Sequence, residues 1–492
     1  MTGAGASGPA AVRALLTSAT AAYADDPRAV AVFREHLNRV DEPLRVAIAG
    51  KMKAGKSTLL NALVGEQIAP TDAGECTKVV TWYEHSATPR VCIEVDGGRQ
   101  HAIPVRRVDG RLTLQLAGRR PAEVERILVQ WPSRSLLTTT LIDTPGLDSL
   151  SAEVSARTTT FLTPADEPSA ADAIIYLLRH LHSTDVRFLE SFHDQAAGRA
   201  TMVNTVGVLS RADEIGAGRL DALVSAQRVA RRYSDDPTVR QLCQTVVPIA
   251  GLLAQTARTL RQSEFLALAA LADYPKDVTE SLLLSVDRFV RSDAPVSVEP
   301  EARAMLLDRL GVFGIRLSIT MIRAGLRDAT TLAADLVKRS GLTELRRLLA
   351  VQFTERRDLL KARSALLALD RVLRDNPRPG SQSLSDQVER ILAGAHEFTE
   401  LRLLGALRAP GVALPPDATK EAERLLGGWG ISAEVRVGLE RGASAAQVRT
   451  AATDALRRWR ERAESPVTDR TTASACRIIT RSCEGVLADV PQ

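Results

Sequence analysis

The chain is poor in aromatic residues, cysteine and lysine, and each shortage narrows what the protein can be. Aromatic residues make up 4% of its 492 residues, which argues against a surface that stacks nucleic-acid bases. The five cysteines are scattered in no zinc-binding spacing, and their odd number argues against a disulfide framework. Free thiols are typical of a reducing compartment. We therefore predict a cytoplasmic protein that has no nucleic-acid partner.

Long hydrophobic runs are also missing. No segment approaches the ~18 consecutive apolar residues that span a bilayer. The residues ahead of Ala22-Tyr23-Ala24, which imitates a signal-peptide cleavage site, lack an apolar core. The net charge of +5 is a mild excess on 64 basic and 59 acidic residues. Any contact with a membrane is therefore expected to be peripheral.

The few lysines are concentrated in one place. Only eight lysines stand beside fifty-six arginines, and three of the eight lie within Gly50–Ser57. This segment reads Gly, four residues, then Gly-Lys-Ser, between the apolar run Leu44–Ala49 and the helix-like Thr58–Val64. A strand, a glycine loop and a helix in this order bind nucleotide phosphates through backbone N–H groups and the positive helix end. The residues expected to bind are Gly50, Lys53, Ala54, Gly55, Lys56, Ser57 and Thr58, with Lys56 at the β- and γ-phosphates and Ser57 on Mg²⁺.

Two further segments fit the same nucleotide site. The apolar run Thr139–Ile142 ends in Asp-Thr-Pro-Gly, in which Asp143 is expected to bind Mg²⁺ through water and Gly146 to contact the γ-phosphate. Taken without the first motif, this segment has the alternative interpretation of an Asp-initiated turn built on Pro and Gly. Between the two motifs, Thr77 is the predicted third group of the metal site, Thr71 is the alternative, and a plain polar loop is the simpler interpretation.

The nucleobase motif is altered. GTPases read guanine with Asn/Thr-Lys-x-Asp after an apolar strand, and here Val206–Leu209 leads to Ser-Arg-Ala-Asp at 210–213. Asp213 would accept hydrogen bonds from the guanine edge, and Arg211 would lie over the base in place of lysine. The alternatives are an aspartate that only caps a helix, or an ATPase. Pro248–Gly251 follows a further strand where GTPases place another base-contacting loop.

Two residues bear on the mechanism. Small switch GTPases commonly carry a glutamine after the glycine of the second motif, and this chain has Leu147, which cannot orient water. Phosphoryl transfer depends mainly on positioning and charge stabilisation. Lys53 is the local cation that would act where other GTPases use an arginine finger, or it is simply a solvated lysine. The predicted catalytic residues are thus Lys53, Lys56 and Thr77.

The order of apolar segments predicts the architecture. Strand-like and helix-like segments alternate over 44–260, which indicates an α/β fold with a mainly parallel sheet and helices on both faces. Helical periodicity alone follows, including one long helix over 342–373 and another over 384–407, and this half reads as a helical bundle or stalk. The predicted domains are N-terminal helices (1–40), a nucleotide domain (41–262) and an α-helical neck and trunk (263–492). The predicted strands are 44–49, 79–84, 91–95, 127–131, 138–143, 173–178, 201–209 and 245–249.

This motif set and domain order resemble the bacterial dynamin-like GTPases, and within them the isoniazid-inducible type of actinobacteria. The long spacing from Gly50 to Asp143 and the trailing helical half support the resemblance. The supporting segments are Val129–Ser133, Ala171–Leu177 and Phe353–Arg363.

The resemblance implies a Mg²⁺-dependent GTPase stimulated by dimerisation of its GTPase domain, with itself or with a second dynamin-like protein. It implies terminal helices that pack into the neck, a trunk tip that touches phospholipid, and membrane remodelling or repair at the inner face of the plasma membrane. The alternative is a GTP-binding regulatory or hetero-oligomeric partner without membrane-deforming activity of its own. The apolar stretch Leu401–Leu414 is either the lipid-binding segment or a buried helix end, and the loop Asp375–Ser383 is the other candidate tip.

Overall fold

The computed structural model describes residues 9–71, 75–95, 98–108, 110–146, 170–180, 182–195, 204–216, 218–394, 396–408 and 412–490. Within them, a nine-stranded sheet has the order β11-β10-β9-β1-β8-β2-β7-β3-β4. Its strands are β1 (Leu44–Gly50), β2 (Thr81–His85), β3 (Arg90–Val95), β4 (Arg99–Ile103), β7 (Arg126–Trp131), β8 (Thr139–Asp143), β9 (Ala173–Leu178), β10 (Thr205–Ser210) and β11 (Val246–Ile249), while β5 (Arg106–Val108) and β6 (Arg111–Thr113) form a separate hairpin.

The half of the sheet around β1 is fully parallel. Strands β11, β10, β9, β1 and β8 run in one direction, and antiparallel pairing begins where β2 meets β8. All six residues of β9 and of β10 are buried, as expected for parallel strands covered on both faces. The carboxyl ends of these strands therefore share one edge of the sheet, which is where α/β folds bind ligands.

Helices cover both faces of the sheet. Alternate residues of β1 point to opposite sides: Val46 and Ile48 join a core with helix Lys56–Val64, whereas Ala47 and Ala49 join a core with helix Ala222–Asp235. This is the period-2 alternation of a strand buried on both faces. The other described helices between β1 and residue 258 are Ser183–Gln195, Pro237–Leu242 and Gly251–Arg258.

Strand prediction succeeded for the apolar strands and failed for the polar ones. The predicted strand 201–209 is described from Thr205, and residues 201–203 lie outside the described residues. Strands β4, β5 and β6 were not predicted, because most of their side chains are solvent-exposed and several are arginines. An exposed edge strand has no apolar alternation to reveal it.

Beyond β11 the described chain is helical. Both of the predicted long helices are divided in the structure. The predicted helix 342–373 is interrupted by a π-helical turn at Ala350–Thr354. The predicted helix 384–407 is two separate helices, the first of which begins at Ser381. The π-helical turn is stabilised by a segment distant in the chain, because Gln352 and Arg356 donate hydrogen bonds to backbone carbonyls in the segment 426–428. The helices are Gln262–Ala272, Lys276–Leu282, Val286–Val290, Pro300–Arg323, Ala329–Arg339, Leu342–Leu349, Arg357–Asp375, Ser381–Gly394, His396–Arg408, Pro416–Leu425, Ala433–Val437, Ala445–Glu464 and Arg470–Asp489.

The two N-terminal helices, Pro9–Ala22 and Pro27–Asp41, share a core with helix Arg357–Asp375. Helix Pro27–Asp41 is also tied to the sheet, because Arg39 pairs with Asp172 at 2.6 Å and both side chains are almost fully buried. The Lys361 ammonium donates to the carbonyl of Arg39 at 2.5 Å and to that of Glu42. One small region thus joins the N-terminal helices, the sheet and the helical half.

The segment Leu401–Leu414 is a helix end in its first half. Leu401, Leu403, Leu404 and Leu407 are all at most 7% exposed, so these side chains are packed inside the protein. Residues 409–411 lie outside the described residues. No described helix combines the length and the hydropathy that crossing a membrane requires.

Candidate functional site

The predicted phosphate loop, Gly50–Ser57, leaves the carboxyl end of β1 and leads directly into helix Lys56–Val64. Three of its residues have left-handed backbone: Gly50 (φ 143°), Lys53 (φ 60°) and Gly55 (φ 94°). Glycine adopts such angles freely, whereas a lysine is strained there. A side chain at Gly50 would also collide with the Leu177 carbonyl oxygen of β9, 2.5 Å from the position of its Cβ. Both the tight loop and its close approach to β9 therefore depend on glycine.

Lys56 lies beneath this loop. Its ammonium donates to the carbonyls of Gly50 and Lys51, both at 3.1 Å, and the residue is only 9% exposed. Burial lowers the pKa of Lys56, and the Asp143 carboxylate opposes that shift. A buried cation held at the mouth of the loop is suited to phosphate oxygens, which would add the negative charge that backbone carbonyls lack.

Asp143 ends β8, the strand next to β1, and its carboxylate meets Ser57. Ser57 Oγ donates to Asp143 Oδ2 at 2.7 Å, while Oδ1 is buried and has no hydrogen-bond partner among the described residues. Burial raises the pKa of Asp143, an effect that Lys56 and Ser57 oppose. An orphaned carboxylate oxygen beside a hydroxyl is a donor set that Mg²⁺ prefers. The residues present therefore fit a magnesium ion.

Thr77 and Gly146 lie at the same edge of the sheet as this pair. Thr77 is in the short turn Glu75–Lys78 that leads into β2, and Thr81 at the start of β2 pairs with Asp143. The backbone thus places Thr77 at the same sheet edge as Ser57 and Asp143. Gly146 lies directly against the phosphate loop, because a Cβ there would be 2.7 Å from Met52 Cα. Leu147 and Asp72 to Gly74 are outside the described residues.

The altered base motif follows β10, two strands from β1 on the side away from Asp143. Arg211 has left-handed backbone (φ 52°), and its guanidinium donates to the Lys53 carbonyl at 3.0 Å. Asp213 lies in the next turn, and burial raises the pKa of its carboxyl. The two halves of the site, phosphate loop and base motif, are thus joined by a direct hydrogen bond.

Sequence reasoning missed several charged groups at this edge. Glu214 accepts from Arg211 at 2.7 Å and also pairs with Arg179, which follows β9. Asp185 is buried, accepts from Tyr176 at 2.6 Å and lies 3.8 Å from the Lys51 ammonium. The available signal was position, since a polar residue just after a buried parallel strand lies at the ligand-binding edge.

The segment Pro248–Gly251, the second predicted base-contacting loop, also lies at this edge and is hydrogen-bonded to the helical half. The N–H of Ala250 donates to the Ser340 carbonyl at 3.0 Å. A Cβ at Gly251 would lie 3.6 Å from Thr58 Cγ2, next to the phosphate loop. Taken together, the edge gathers Gly50, Lys53, Ala54, Gly55, Lys56, Ser57, Thr58, Asp143, Gly146, Arg211 and Asp213 around loops that follow parallel strands.

Comparison with known proteins places this geometry in context. The model of the dynamin family matches residues 46–211. The isoniazid-induced protein IniC of Mycobacterium tuberculosis is 44% identical over 451 residues, which cover 92% of this chain and 91% of that protein. A bacterial dynamin-like protein of Nostoc punctiforme is 29% identical over 119 residues, covering 22% and 17% of the two chains.

Among solved structures, one chain of an oligomerised bacterial dynamin pair, described as providing a mechanism for long-range sensing and tethering of membranes, superposes with a TM-score of 0.32. The identity is 12%, and the match covers 98% of this chain and 75% of that one.

Proposed function

Because this chain belongs to the dynamin family, which is a family of GTPases, we propose that it binds GTP with Mg²⁺ in the site described above and hydrolyses it. The observation that carries the proposal is the pairing of Ser57 with a buried Asp143 whose second oxygen is unpartnered, beside the buried Lys56. At this one loop, the Ser57–Asp143 pair would bind the metal ion and the Lys56 ammonium would bind phosphate oxygens.

The proposed roles follow from the positions. Ser57 and Asp143 hold Mg²⁺, with Thr77 as the third group, and bound Mg²⁺ supplies charge stabilisation at the phosphates. Lys56 binds the β- and γ-phosphates, and the Gly146 N–H contacts the γ-phosphate. Asp213 accepts hydrogen bonds from guanine, and Arg211 lies beside the base while it holds the loop at Lys53.

Lys53 is the proposed charge-stabilising residue in catalysis. Its backbone is strained and its side chain is exposed at the loop surface, and strain of about 1–3 kcal/mol persists at functional sites when the surroundings enforce it. Lys53→Arg keeps the cation, whereas Lys53→Gly removes the cation and relieves the strain. We expect GTP affinity to survive in both variants and turnover to survive only in Lys53→Arg.

We further propose that GTP binding drives dimerisation of the nucleotide domain, and that the helical half converts this into membrane remodelling or repair at the inner face of the plasma membrane. The proposed division is N-terminal helices to residue 40, nucleotide domain to 262, then neck and trunk. Val467 is the proposed lipid contact, since it is 91% exposed at the turn between helices Ala445–Glu464 and Arg470–Asp489.

The first experiment is phosphate release from GTP and ATP, with and without anionic liposomes, over a range of protein concentrations. We expect turnover that is GTP-selective, rises per molecule with concentration or lipid, and is lost in Lys56→Ala but kept in the surface control Lys276→Ala. Full turnover in Lys56→Ala would refute the site. Slow turnover that is insensitive to concentration and lipid, despite tight GTP binding, would instead favour a regulatory partner of another dynamin-like protein.

Base recognition has its own test. The Asp213 carboxylate accepts from guanine N1–H and N2–H₂, whereas an amide at this position can donate to the O2 of xanthine. We therefore expect Asp213→Asn to weaken GTP binding strongly and to gain binding of xanthosine triphosphate. Unchanged selectivity in Asp213→Asn would show that Asp213 only caps its turn. Flotation with liposomes tests the lipid contact, with Val467→Glu expected to float less than the native chain.

A further inference from the structure

A second cavity lies on the far side of the phosphate-loop helix from the nucleotide site. It has a volume of about 470 Å³ and opens at the amino ends of β1 and β8, beside Val46 and Thr139. One wall is the carboxyl end of helix Lys56–Val64. The opposite wall is helix Leu342–Leu349 with the π-helical turn Ala350–Thr354 that follows it. The cavity is therefore built jointly by the nucleotide domain and the helical half.

All the charged side chains that line this cavity are cationic. Arg134, Arg258 and Arg346 line it, and none of the residues that line it is Asp or Glu. Arg134 and Arg258 form no ion pair with any carboxylate in the part of the chain that the structure describes. Burial lowers the pKa of Arg346 to about 10, and the neighbouring Arg258 adds to this shift. Like charges gathered without a counter-ion repel one another, so an anion in the cavity would be stabilised.

Two of the guanidinium groups converge on the end of one helix. Arg346 donates to the carbonyls of Ala62 at 3.3 Å and Leu63 at 2.5 Å. The Arg258 guanidinium lies so close to Gly65 that a Cβ there would be 2.2 Å from its Nη2. A helix carboxyl end carries only about half a negative charge. It therefore cannot neutralise two guanidinium groups, and their remaining N–H donors are available to a ligand.

The rest of the lining is hydroxyl-rich on one side and apolar on the other. Ser133 Oγ lies 2.9 Å from Ser135 Oγ, and Thr138 is beside them. Leu349 and Phe353 form the apolar side. Hydroxyls and forked guanidinium groups bind phosphate oxygens, whereas the apolar side accommodates the carbon part of an ester. The volume is within the range of small-molecule pockets, about 300–1,000 Å³.

We propose that this cavity binds a phosphate monoester, with the phosphate between Arg134, Arg258 and Arg346 and the carbon portion against Leu349 and Phe353. The shared chemistry is a phosphate group on a small apolar or glycerol-like body, which a soluble metabolite or a lipid headgroup can supply. Such a ligand touches both the phosphate-loop helix and helix Leu342–Leu349, so it stabilises their contact. The site is separate from the proposed nucleotide site and does not depend on GTP hydrolysis.

The test is isothermal titration of the full chain saturated with GDP and Mg²⁺, so that the phosphate loop is occupied. The probes are inorganic phosphate, glycerol 3-phosphate and dihexanoyl phosphatidic acid below its critical micelle concentration. We expect saturable binding of at least one ester. The double variant Arg134→Ala/Arg258→Ala should weaken it at least tenfold, because these side chains are exposed at the cavity and make no ion pair that the fold depends on. The matched control is Arg99→Ala/Arg477→Ala, which removes two exposed arginines elsewhere.

The outcomes separate this proposal from the nucleotide proposal. If GDP does not bind, the same titration of Lys56→Ala measures the cavity alone. Equal affinity for glycerol 3-phosphate and the short lipid indicates a soluble ester, and tenfold tighter binding of the lipid indicates a headgroup. Absence of saturable binding by any probe, or equal binding by the native chain and the Arg134→Ala/Arg258→Ala variant, overturns the proposal and leaves the arginines as caps of the helix end.

Discussion

The buried pair between Arg39 and Asp172 offers a sharp test of how the N-terminal helices are held. The change is Asp172→Ala, with Asp172→Asn as a milder variant. One carboxylate oxygen accepts from Arg39 at 2.6 Å, and the other accepts from the N–H of Arg45 at 2.9 Å. Alanine removes both acceptors, whereas asparagine keeps one acceptor oxygen and loses the charge and the second acceptor.

The magnitude follows from burial. The Arg39 and Asp172 side chains are 4% and 1% exposed, and removing one partner of a buried pair costs about 3–5 kcal/mol. That is a large share of a typical folding free energy of about 5–15 kcal/mol. The Arg13–Asp41 pair joins the two N-terminal helices, but its side chains are 44% and 63% exposed. Such an exposed pair contributes little to stability, because water solvates both charges, so Asp41→Ala is the matched control.

The assay is native-state hydrogen exchange of residues 27–45, because one unfolding free energy is poorly defined for a chain with several units. A loss of 3 kcal/mol corresponds to about a hundredfold faster exchange through local opening. We expect that change in Asp172→Ala, a smaller one in Asp172→Asn and almost none in Asp41→Ala. GTP affinity should stay unchanged, since Asp172 precedes β9 at the edge opposite the phosphate loop. Equal, small effects of Asp172→Ala and Asp41→Ala would refute the reasoning.

Three further changes test other parts of the structure. Burial lowers the pKa of Lys361 to about 8 from 10.5. Between these pH values the unfolded chain binds a proton that the folded chain does not, so stability should rise with pH. Chemical denaturation from pH 7.5 to 10 should show this rise in the native chain and not in Lys361→Met. Gly146→Ala should keep GDP binding but lose GTP turnover, because its Cβ would collide with Met52; normal turnover would argue against Gly146 as the γ-phosphate contact. Burial raises the pKa of Asp143, so its ionised form destabilises the nucleotide-free fold at pH 7. Asp143→Asn should therefore raise the melting temperature of the nucleotide-free protein, while Mn²⁺ binding, followed by electron paramagnetic resonance, disappears.

The sequence alone was sufficient wherever a signal is local in the chain. The dynamin resemblance and the α/β fold with a trailing helical half are confirmed by the family match and by the similarity to IniC. Strands β1, β8 and β9 were predicted because strands buried on both faces need contiguous apolar residues. The phosphate loop was recognisable because its backbone angles require glycine at fixed positions between a strand and a helix.

Features that depend on partners far apart in the chain were decided only by tertiary structure. The predicted helix 342–373 is interrupted where Gln352 and Arg356 bind a turn some seventy residues later. The hydrogen bond from Arg211 to the Lys53 carbonyl joins positions 158 residues apart. Likewise, the cavity lined by Arg134, Arg258 and Arg346 gathers residues from five separate segments, none of which is distinctive by itself. Periodicity and motif spacing report the backbone of one segment, whereas ligand-binding edges, buried ion pairs and cavities arise only when the sheet order and helix packing bring segments together.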